Sequence, residues 1–198
     1  MKVLVINGSP RKKGVVSTLL RAVVEGMNDR ATVEWVDVYS LSVKLCAACM
    51  KCRPDGSCVM PEDGAHVIAG KISEADALVV GSPTHWGNMS SGLKTLFDRI
   101  VPAVMGEKPN GIPIPRHRGK TAVIVSACTT PWPFNWLLPE SRGAVRAIRE
   151  VLHYGGFSIA GIVVKPGTKK NPDISPRTMI KAKKAGLRLM NKTEGRKG

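Results

Sequence analysis

The chain has 198 residues, of which 43% are hydrophobic and 23% charged, and its 30 Lys and Arg exceed its 15 Asp and Glu to give a net charge of +15. This composition excludes disorder of the whole chain, and no apolar run approaches the about 20 residues that a transmembrane helix needs, so we expect no membrane association. The apolar run after Met1-Lys2 is too short for a signal peptide, which predicts a cytoplasmic protein. The length predicts a single domain over residues 1–198.

The positive charge is concentrated near the C-terminus. From Lys165 to Gly198 there are eleven basic and two acidic residues, which gives this segment a net charge of +9. A basic surface attracts anionic cofactors, acidic proteins or nucleic acid, but a solvated helix followed by a basic tail (192–198) is the favoured explanation of the charge. Nucleic-acid binding is not favoured, because the chain has only two Tyr and three Phe to stack on bases.

Strands and helices alternate along the chain. Short β-branched runs predict strands, and apolar residues spaced three and four apart predict helices. In chain order, the predicted elements are strand Lys2–Ile6, a helix carrying Leu19 to Met27, strand Thr32–Val38, helix Glu62–Ser73, strand Ala77–Val80, a helix carrying Leu93 to Val104, strand Thr121–Val125, a helix carrying Ala144 to Leu152, strand Phe157–Val164 and helix Pro176–Asn191. In the last helix, Ile180, Leu187 and Met190 are predicted to face the core.

Five alternations of this kind predict a parallel sheet with helices on both faces. The fold class is therefore α/β, and the number of units suits a flavodoxin-like three-layer sandwich whose five-stranded parallel sheet has the order 2-1-3-4-5. Such sheets bind ligands at the carboxyl ends of their strands, which directs attention to the loops that follow the strands.

The first of these loops, residues 8–18, suits a phosphate group. Backbone N–H groups at a helix start and the hydroxyls of Ser9, Ser17 and Thr18 can bind phosphate oxygens, and Arg11 can add a charge-assisted hydrogen bond. The loop lacks the Gly-Lys-Ser/Thr and G-x-G-x-x-G spacings, which favours a monophosphate. The alternative is an ordinary polar turn in which Ser17 caps the helix.

The second and third loops carry three of the four Trp residues. In residues 82–91, His85 and Trp86 offer flat faces, and the backbone of Gly87 and Asn88 can approach a ring closely. In the alternative interpretation, Ser90 caps the next helix and Trp86 covers the core. The third loop, residues 126–136, is apolar and aromatic, which predicts either a wall of the ligand site or a subunit interface.

Four of the five cysteines form the pattern Cys46-x2-Cys49-x2-Cys52-x5-Cys58, within an insertion loop that spans residues 39–61. Disulfides are not expected in the cytoplasm, and structural zinc usually uses two separated Cys-x2-Cys pairs. Three thiolates at successive x2 spacings favour a [4Fe–4S] cluster, whose negative charge Lys44, Lys51 and Arg53 would offset. The alternative is four reduced cysteines in a folded loop. Cys128 is predicted to be a small buried residue.

The motifs Asn7-Gly8-Ser9-Pro10-Arg11 with Ser17-Thr18, Ser82-Pro83-Thr84-His85-Trp86-Gly87-Asn88-Met89 and Lys94-x3-Asp98-Arg99 together resemble the NAD(P)H-dependent FMN reductase family, in its multimeric flavodoxin and iron-sulfur flavoprotein branch. The resemblance extends from Met1 to about Leu189. It implies an FMN site in which the phosphate is bound by Ser9, Arg11, Ser17 and Thr18, and the ring is lined by Pro83, Thr84, His85, Trp86, Gly87, Asn88, Ala127, Cys128, Thr129 and Thr130. The cysteine spacing is also that of the iron-sulfur flavoproteins.

The resemblance implies an FMN-dependent oxidoreductase in which NAD(P)H supplies hydride and a quinone, a free flavin or an iron complex accepts the electrons. We predict no catalytic residue, because the flavin does the chemistry and no acid or base is required. The alternative is an electron carrier that uses a cluster at the four cysteines and a ferredoxin-like partner; a basic adaptor that binds nucleic acid or an acidic protein ranks last. Relatives form dimers or tetramers, so we expect a homodimer or homotetramer.

Overall fold

A computed structural model describes residues 1–52 and 56–195. Its elements in chain order are β1 (Lys2–Asn7), α1 (Val15–Glu25), β2 (Thr32–Asp37), a 3-10 turn (Val38–Ser40), α2 (Gly64–Glu74), β3 (Ala77–Pro83), α3 (Ser91–Arg99), α4 (Val101–Val104), β4 (Met105–Glu107), β5 (Pro113–Pro115), β6 (Thr121–Ala127), α5 (Phe134–Leu137), α6 (Ser141–Gly155), β7 (Ser158–Lys165) and α7 (Pro176–Glu194). Arg53 and the last three residues of the basic tail lie outside the described residues. In the described part of the chain, no helix is long and apolar enough to cross a membrane.

The main sheet has five parallel strands in the order β2-β1-β3-β6-β7, which confirms the order 2-1-3-4-5 predicted from the sequence. The three central strands read as continuous apolar runs because both of their faces are covered. In the register of the sheet, Asn7 lies beside Gly81, and Pro83 lies beside Ala127. The carboxyl ends of β1, β3 and β6 therefore open on the same edge.

Two apolar cores lie on opposite faces of this sheet. On one face, α1 and α7 bury side chains that include Leu19 and Leu189. On the other, α2, α3 and α6 bury side chains that include Ile68, Leu96 and Ile148. This is the three-layer arrangement expected from the alternation of elements. The prediction of a single domain over residues 1–198 stays a prediction.

The long helix predicted from Leu93 to Val104 is wrong at its end. The structure interrupts it at Ile100, where α3 gives way to the one-turn helix α4. Pro102 is the physical reason, since it has no N–H to donate and its ring would clash with the preceding turn of a continuous helix. A two-stranded hairpin of β4 and β5 follows, which the sequence did not predict.

The inward face predicted for the last helix is also partly wrong. Met190 is buried, as is Leu189, but Ile180 and Leu187 are exposed, and the rest of the buried face of α7 consists of smaller residues that include Ala182 and Gly186. A Cβ on Gly186 would lie 2.0 Å from the carbonyl oxygen of Val23 in α1. The two helices therefore touch through their backbones at Gly186, where a large side chain would have no room.

Candidate functional site

Three loops meet at the carboxyl edge of the sheet and enclose a cavity of about 980 Å³, which lies within the size range of small-molecule sites. Its wall is formed by Ser9, Pro10, Arg11, Lys13, Gly14, Val15, Val16, Thr18, Pro83, Thr84, His85, Ala127, Cys128, Thr129, Thr168, Lys169, Pro172, Asp173, Ile174 and Met179. The loops after β1, β3 and β6 thus come together in space, as their positions after neighbouring strands predict.

The buried side chain of Asn7 organises the first loop. Its amide nitrogen donates to Asp37 Oδ1 at 2.7 Å and to Ser17 Oγ at 3.0 Å, while its carbonyl oxygen accepts from the Ser9 N–H at 3.2 Å. The Ser17 hydroxyl in turn donates to the Arg11 carbonyl oxygen at 2.9 Å. One amide therefore connects the end of β2, the loop and the start of α1.

The first turn of α1 is open toward the cavity. Gly14 is its N-cap residue, and among the described residues no side chain caps this helix end. The backbone N–H groups of the first turn of a helix lack partners within the helix, and the helix dipole adds positive charge there. Arg11 and Thr18 line the cavity beside this turn, although the Thr18 hydroxyl already donates to the Gly14 carbonyl oxygen at 3.1 Å. The arrangement suits an anion.

The second loop is fixed to the first by a short chain of hydrogen bonds. The Ser90 hydroxyl donates to the Gly8 carbonyl oxygen at 2.6 Å, and the Ser90 N–H donates to Ser82 Oγ at 2.8 Å. Gly8 donates its own N–H to the Gly81 carbonyl oxygen at 2.7 Å. Ser90 is the N-cap residue of α3, but its hydroxyl connects the two loops instead of capping the helix.

Trp86 and Gly87 form a tight two-residue turn at the tip of the second loop. His85 and Asn88 exchange both backbone hydrogen bonds at 2.9 Å, and the two residues between them have φ values of +51° and +69°. Turns of this kind favour Asn-Gly, and a bulky residue with positive φ is strained, which is typical of functional sites. The Trp86 side chain is 103% exposed, so the alternative in which it covers the core is wrong.

This turn rests on the start of α6, and the contact gives a sharp prediction. A Cβ on Gly143 would lie 1.9 Å from the Gly87 carbonyl oxygen, so the Gly143→Ala substitution must displace the turn or the helix. We expect a loss of about 1–3 kcal/mol in the free energy of unfolding, measured by urea denaturation.

Gly70→Ala is the matched control, because a Cβ there meets no atom within 4 Å in the exposed part of α2. Removing a glycine from a helix should stabilise the protein by about 0.5–1 kcal/mol. Equal stability of the two variants would show that the turn does not depend on its contact with α6.

The third loop divides into a buried part and an exposed part. Ala127, Cys128 and Thr129 belong to the cavity wall, and burial raises the pKa of the Cys128 thiol, which keeps it protonated near neutral pH. The apolar residues that follow point outward: Trp132, Phe134, Trp136, Leu137 and Leu138 are all more than half exposed. The wall and the exposed aromatic surface are thus made by different residues.

The structure therefore brings together most of the residues predicted for the FMN site. Ser9, Arg11, Thr18, Pro83, Thr84, His85, Ala127, Cys128 and Thr129 line the cavity, whereas Ser17, Trp86, Gly87, Asn88 and Thr130 do not. Ser17 is fully buried and its hydroxyl is used within the loop, so it supports the loop from behind. Asn88 faces a neighbouring cavity of about 370 Å³ between α3 and α6. The individual contacts of all these residues with FMN stay predictions.

The sequence missed the segment from Thr168 to Met179, which closes the cavity on the side of β7. It follows a strand like the other three loops, and that position was a signal that it would reach the same edge. It brings Lys169 into a wall that also holds the cations of Arg11 and Lys13. Among the described residues of this wall, Asp173 supplies the one carboxylate. The cavity is therefore positive and favours anionic ligands.

The four clustered cysteines line a separate cavity of about 320 Å³, next to Asp98 and Arg99 of α3. Cys46 and Cys49 are exposed, and Cys52 and Cys58 are half-buried. Within residues 1–52 and 56–195, no three His, Cys, Asp or Glu side chains converge closely enough to bind one metal ion. The four cysteines instead line one common cavity.

A buried ion pair holds the two ends of the cysteine segment together. Asp63 accepts from the Lys44 N–H at 3.0 Å and from Arg99 Nη1 at 2.7 Å, and Arg99 Nη1 also donates to the Lys44 carbonyl oxygen at 2.8 Å. Burial alone would raise the pKa of Asp63, but the hydrogen bonds from Lys44 and Arg99 lower it to about 2. Lys44 and Asp63 flank the four cysteines, so this ion pair closes the loop at its base.

Fold and cavity define a flavodoxin-like α/β protein with a positively charged cavity at the carboxyl edge of its sheet. The family profile of the NADPH-dependent FMN reductases matches residues 1–149, so the chain belongs to this family, as the motifs predicted. Its cofactor is accordingly FMN.

Individual relatives agree with this assignment. An iron-sulfur flavoprotein of Methanocaldococcus jannaschii is 30% identical over 186 residues, which cover 90% of this chain and 91% of the relative. An iron-sulfur flavoprotein of Clostridioides difficile is 25% identical over 100% of this chain and 81% of its own. The solved structure of an FMN-dependent NADH-azoreductase from Bacillus anthracis in complex with FMN has a TM-score of 0.73 at 17% identity and covers 96% of this chain and 100% of that one, which is a similarity of fold.

Proposed function

We propose that this protein is an NAD(P)H-dependent FMN oxidoreductase that binds FMN in the 980 Å³ cavity and passes electrons to a small acceptor such as a quinone, a free flavin or an iron complex. The observation that carries the proposal is the convergence of an uncapped helix start, three wall cations and three strand ends on one cavity. A bound FMN would supply the redox chemistry there, which is hydride uptake from a reduced nicotinamide and electron release to an acceptor.

In this proposal, the first loop binds the phosphate. The free N–H groups at the start of α1 donate to its oxygens, and Arg11 adds a charge-assisted hydrogen bond. Ser9 is 95% buried within this loop, where its Oγ accepts from the Arg11 N–H at 3.2 Å and so keeps that residue at the cavity. Ser17 lies outside the cavity wall and positions Arg11 by donating a hydrogen bond to its carbonyl oxygen.

The ring would lie between the second and third loops, beside Thr84, His85 and Cys128. The Thr84 N–H donates to the Ala127 carbonyl oxygen at 2.8 Å, so the two loops are connected where the ring would enter. The neutral Cys128 thiol adds no charge there. Hydride moves with its own electron pair, so its transfer from the nicotinamide needs no wall residue as an acid or base, and the proton that a quinone would take up comes from solvent.

Steady-state turnover tests this function against its main alternative. FMN-loaded protein should oxidise NADH or NADPH in the presence of a quinone, and the rate should depend on bound FMN. Turnover only with a reduced ferredoxin-like protein would instead favour an electron carrier. Comparing the two nicotinamides in the same assay identifies the preferred substrate.

The second candidate function is that of an iron-sulfur flavoprotein with a [4Fe–4S] cluster at Cys46, Cys49, Cys52 and Cys58. The donor set fits this group, because a cube would need one thiolate for each of its four irons and four cysteines line one cavity. The Ala48 N–H donates to Cys46 Sγ at 3.4 Å, and both Ala48 and Met50 have positive φ, as in the backbone concavities that hold anions and Fe–S groups. Bound there, the group would supply one-electron transfer.

We infer that a second copy of the chain covers the exposed aromatic surface of the third loop. Trp132, Phe134 and Trp136 are between 56% and 76% exposed, and aromatic side chains are enriched in the cores of subunit interfaces. The Trp136→Asp substitution should therefore shift the molar mass measured by light scattering to that of one chain. Ile180→Asp, at an equally exposed apolar position on α7, should leave the mass unchanged. A wild-type protein with the mass of one chain would contradict the inference.

A further inference from the structure

The side chain of Arg99 is a fully buried cation at the cysteine cavity. It is 0% exposed and lies at the end of α3, where Nη1 is shared between Asp63 and the Lys44 carbonyl group and Nη2 donates to Asp63 Oδ1 at 3.2 Å. Burying a charge is costly unless the charge is paired. Asp63 supplies the pairing, and the guanidinium is thereby held in one position.

One donor of this guanidinium is unused. Nε is buried and has no hydrogen-bond partner among the described residues, which is unusual for a charged donor. The side chain lines the cysteine cavity and also a neighbouring cavity of about 220 Å³, and Cys58 lies in the wall of both. Cys58 and Arg99 therefore share the walls of two cavities, which places the cation next to this cysteine.

The lysines near the four cysteines are poorer sources of positive charge than Arg99. The side chains of Lys44 and Lys51 are exposed to water, which screens their charges, and Arg53 lies outside the described residues. A buried charge acts through a medium of low dielectric constant and has a larger effect at the same distance. Arg99 is also the one cation among the described residues in the wall of the cysteine cavity.

We propose that Arg99 raises the reduction potential of the iron-sulfur group at the four cysteines, by placing a buried positive charge beside Cys58 and offering Nε–H as a donor to sulfur. The proposal rests on the second candidate function. A reduction step adds one electron and one negative charge to the group, and a fixed cation stabilises the more negative state. Hydrogen bonds to sulfur act in the same direction. The carboxylate of Asp63 opposes this effect, because it cancels part of the positive charge.

Substitutions at the two members of the ion pair should shift the potential in opposite directions. Wild-type, Arg99→Gln and Asp63→Asn proteins are reconstituted anaerobically with iron and sulfide, and the midpoint is measured by titration with dithionite under electron paramagnetic resonance. Arg99→Gln should disfavour reduction by about tenfold or more, which is 59 mV for a one-electron couple. Asp63→Asn should favour reduction. Mere loosening of the loop would lower the iron content of both variants without producing shifts of opposite sign.

Two further variants separate charge from structure. Arg99→Lys keeps the charge, so its midpoint potential should stay nearer to that of wild type than the potential of Arg99→Gln. Comparing these two variants tests the effect of the charge even if Asp63→Asn does not fold. Lys51→Gln removes an exposed cation next to Cys52 and should change the reduction equilibrium of the iron-sulfur group by less than about threefold.

Equal midpoints in Arg99→Gln and wild type, with full iron and sulfide, would overturn the role of Arg99 and leave the cluster in place. Wild-type protein that takes up no iron or sulfide would overturn both the cluster and this role. Bound FMN, measured in every sample, reports the flavin function separately.

Discussion

The Arg11→Ala substitution should weaken FMN binding about ten- to a hundredfold, because a charge-assisted hydrogen bond contributes about 1.5–3 kcal/mol. The substitution removes the side chain alone. The backbone of Arg11 keeps its place, since its N–H donates to Ser9 Oγ and its carbonyl oxygen accepts from Ser17. Fluorescence titration of the apoprotein with FMN measures the change.

Two controls test whether the loss of affinity in Arg11→Ala comes from the phosphate of FMN. Riboflavin lacks this group, so its affinity should be the same in Arg11→Ala and in wild type. Lys12→Ala removes the neighbouring cation, which lies outside the cavity wall and 3.9 Å from Asp37, and should change FMN affinity by less than about threefold. If riboflavin and FMN lose affinity equally in Arg11→Ala, the phosphate does not lie at the first loop.

The largest expected effect is the loss of iron and sulfide when one of the four clustered cysteines is substituted. Replacing any one of Cys46, Cys49, Cys52 or Cys58 with serine should remove more than about half of the iron and acid-labile sulfide from anaerobically reconstituted protein, since each iron of the cube needs its own thiolate. FMN should remain bound, because the two cavities have no wall residue in common. Iron, sulfide and flavin are measured on the same sample.

Ser57→Ala is the matched control within the same segment, and it should retain full iron and sulfide. The ion pair of Arg99 and Asp63 should keep the base of the loop closed in all five variants. If wild-type protein binds less than about a tenth of a cluster per chain under these conditions, the thiols have another role and the protein is a flavin-only reductase.

The sheet could be predicted from the sequence because parallel strands that are buried on both faces read as unbroken apolar runs. Predictions failed where a single residue or backbone contact overrode periodicity. Pro102 ends α3 within an otherwise regular apolar stripe. Gly186 lets α7 touch α1 by backbone, so the small residues face inward and Leu187 faces out.

The candidate site could be predicted as a set of loops, but not residue by residue. Trp86 follows β3 as expected, yet its turn directs the side chain into solvent, because positive φ at two successive residues reverses the chain. In the sequence, Arg99 stands out only as part of the Lys94-x3-Asp98-Arg99 motif, because nothing in an Asp-Arg pair indicates full burial. Its role depends on Asp63, which is 36 residues distant in the chain.

Anaerobic reduction of the purified protein tests the central claim most directly. The protein should contain about one FMN per chain, and adding NADH or NADPH in the absence of oxygen should bleach the visible absorption band of the flavin within a single turnover. Arg11→Ala protein should lose this flavin during gel filtration, whereas Lys12→Ala protein should keep it. Wild-type protein that binds no flavin, or bound FMN that neither nicotinamide reduces, would contradict the account.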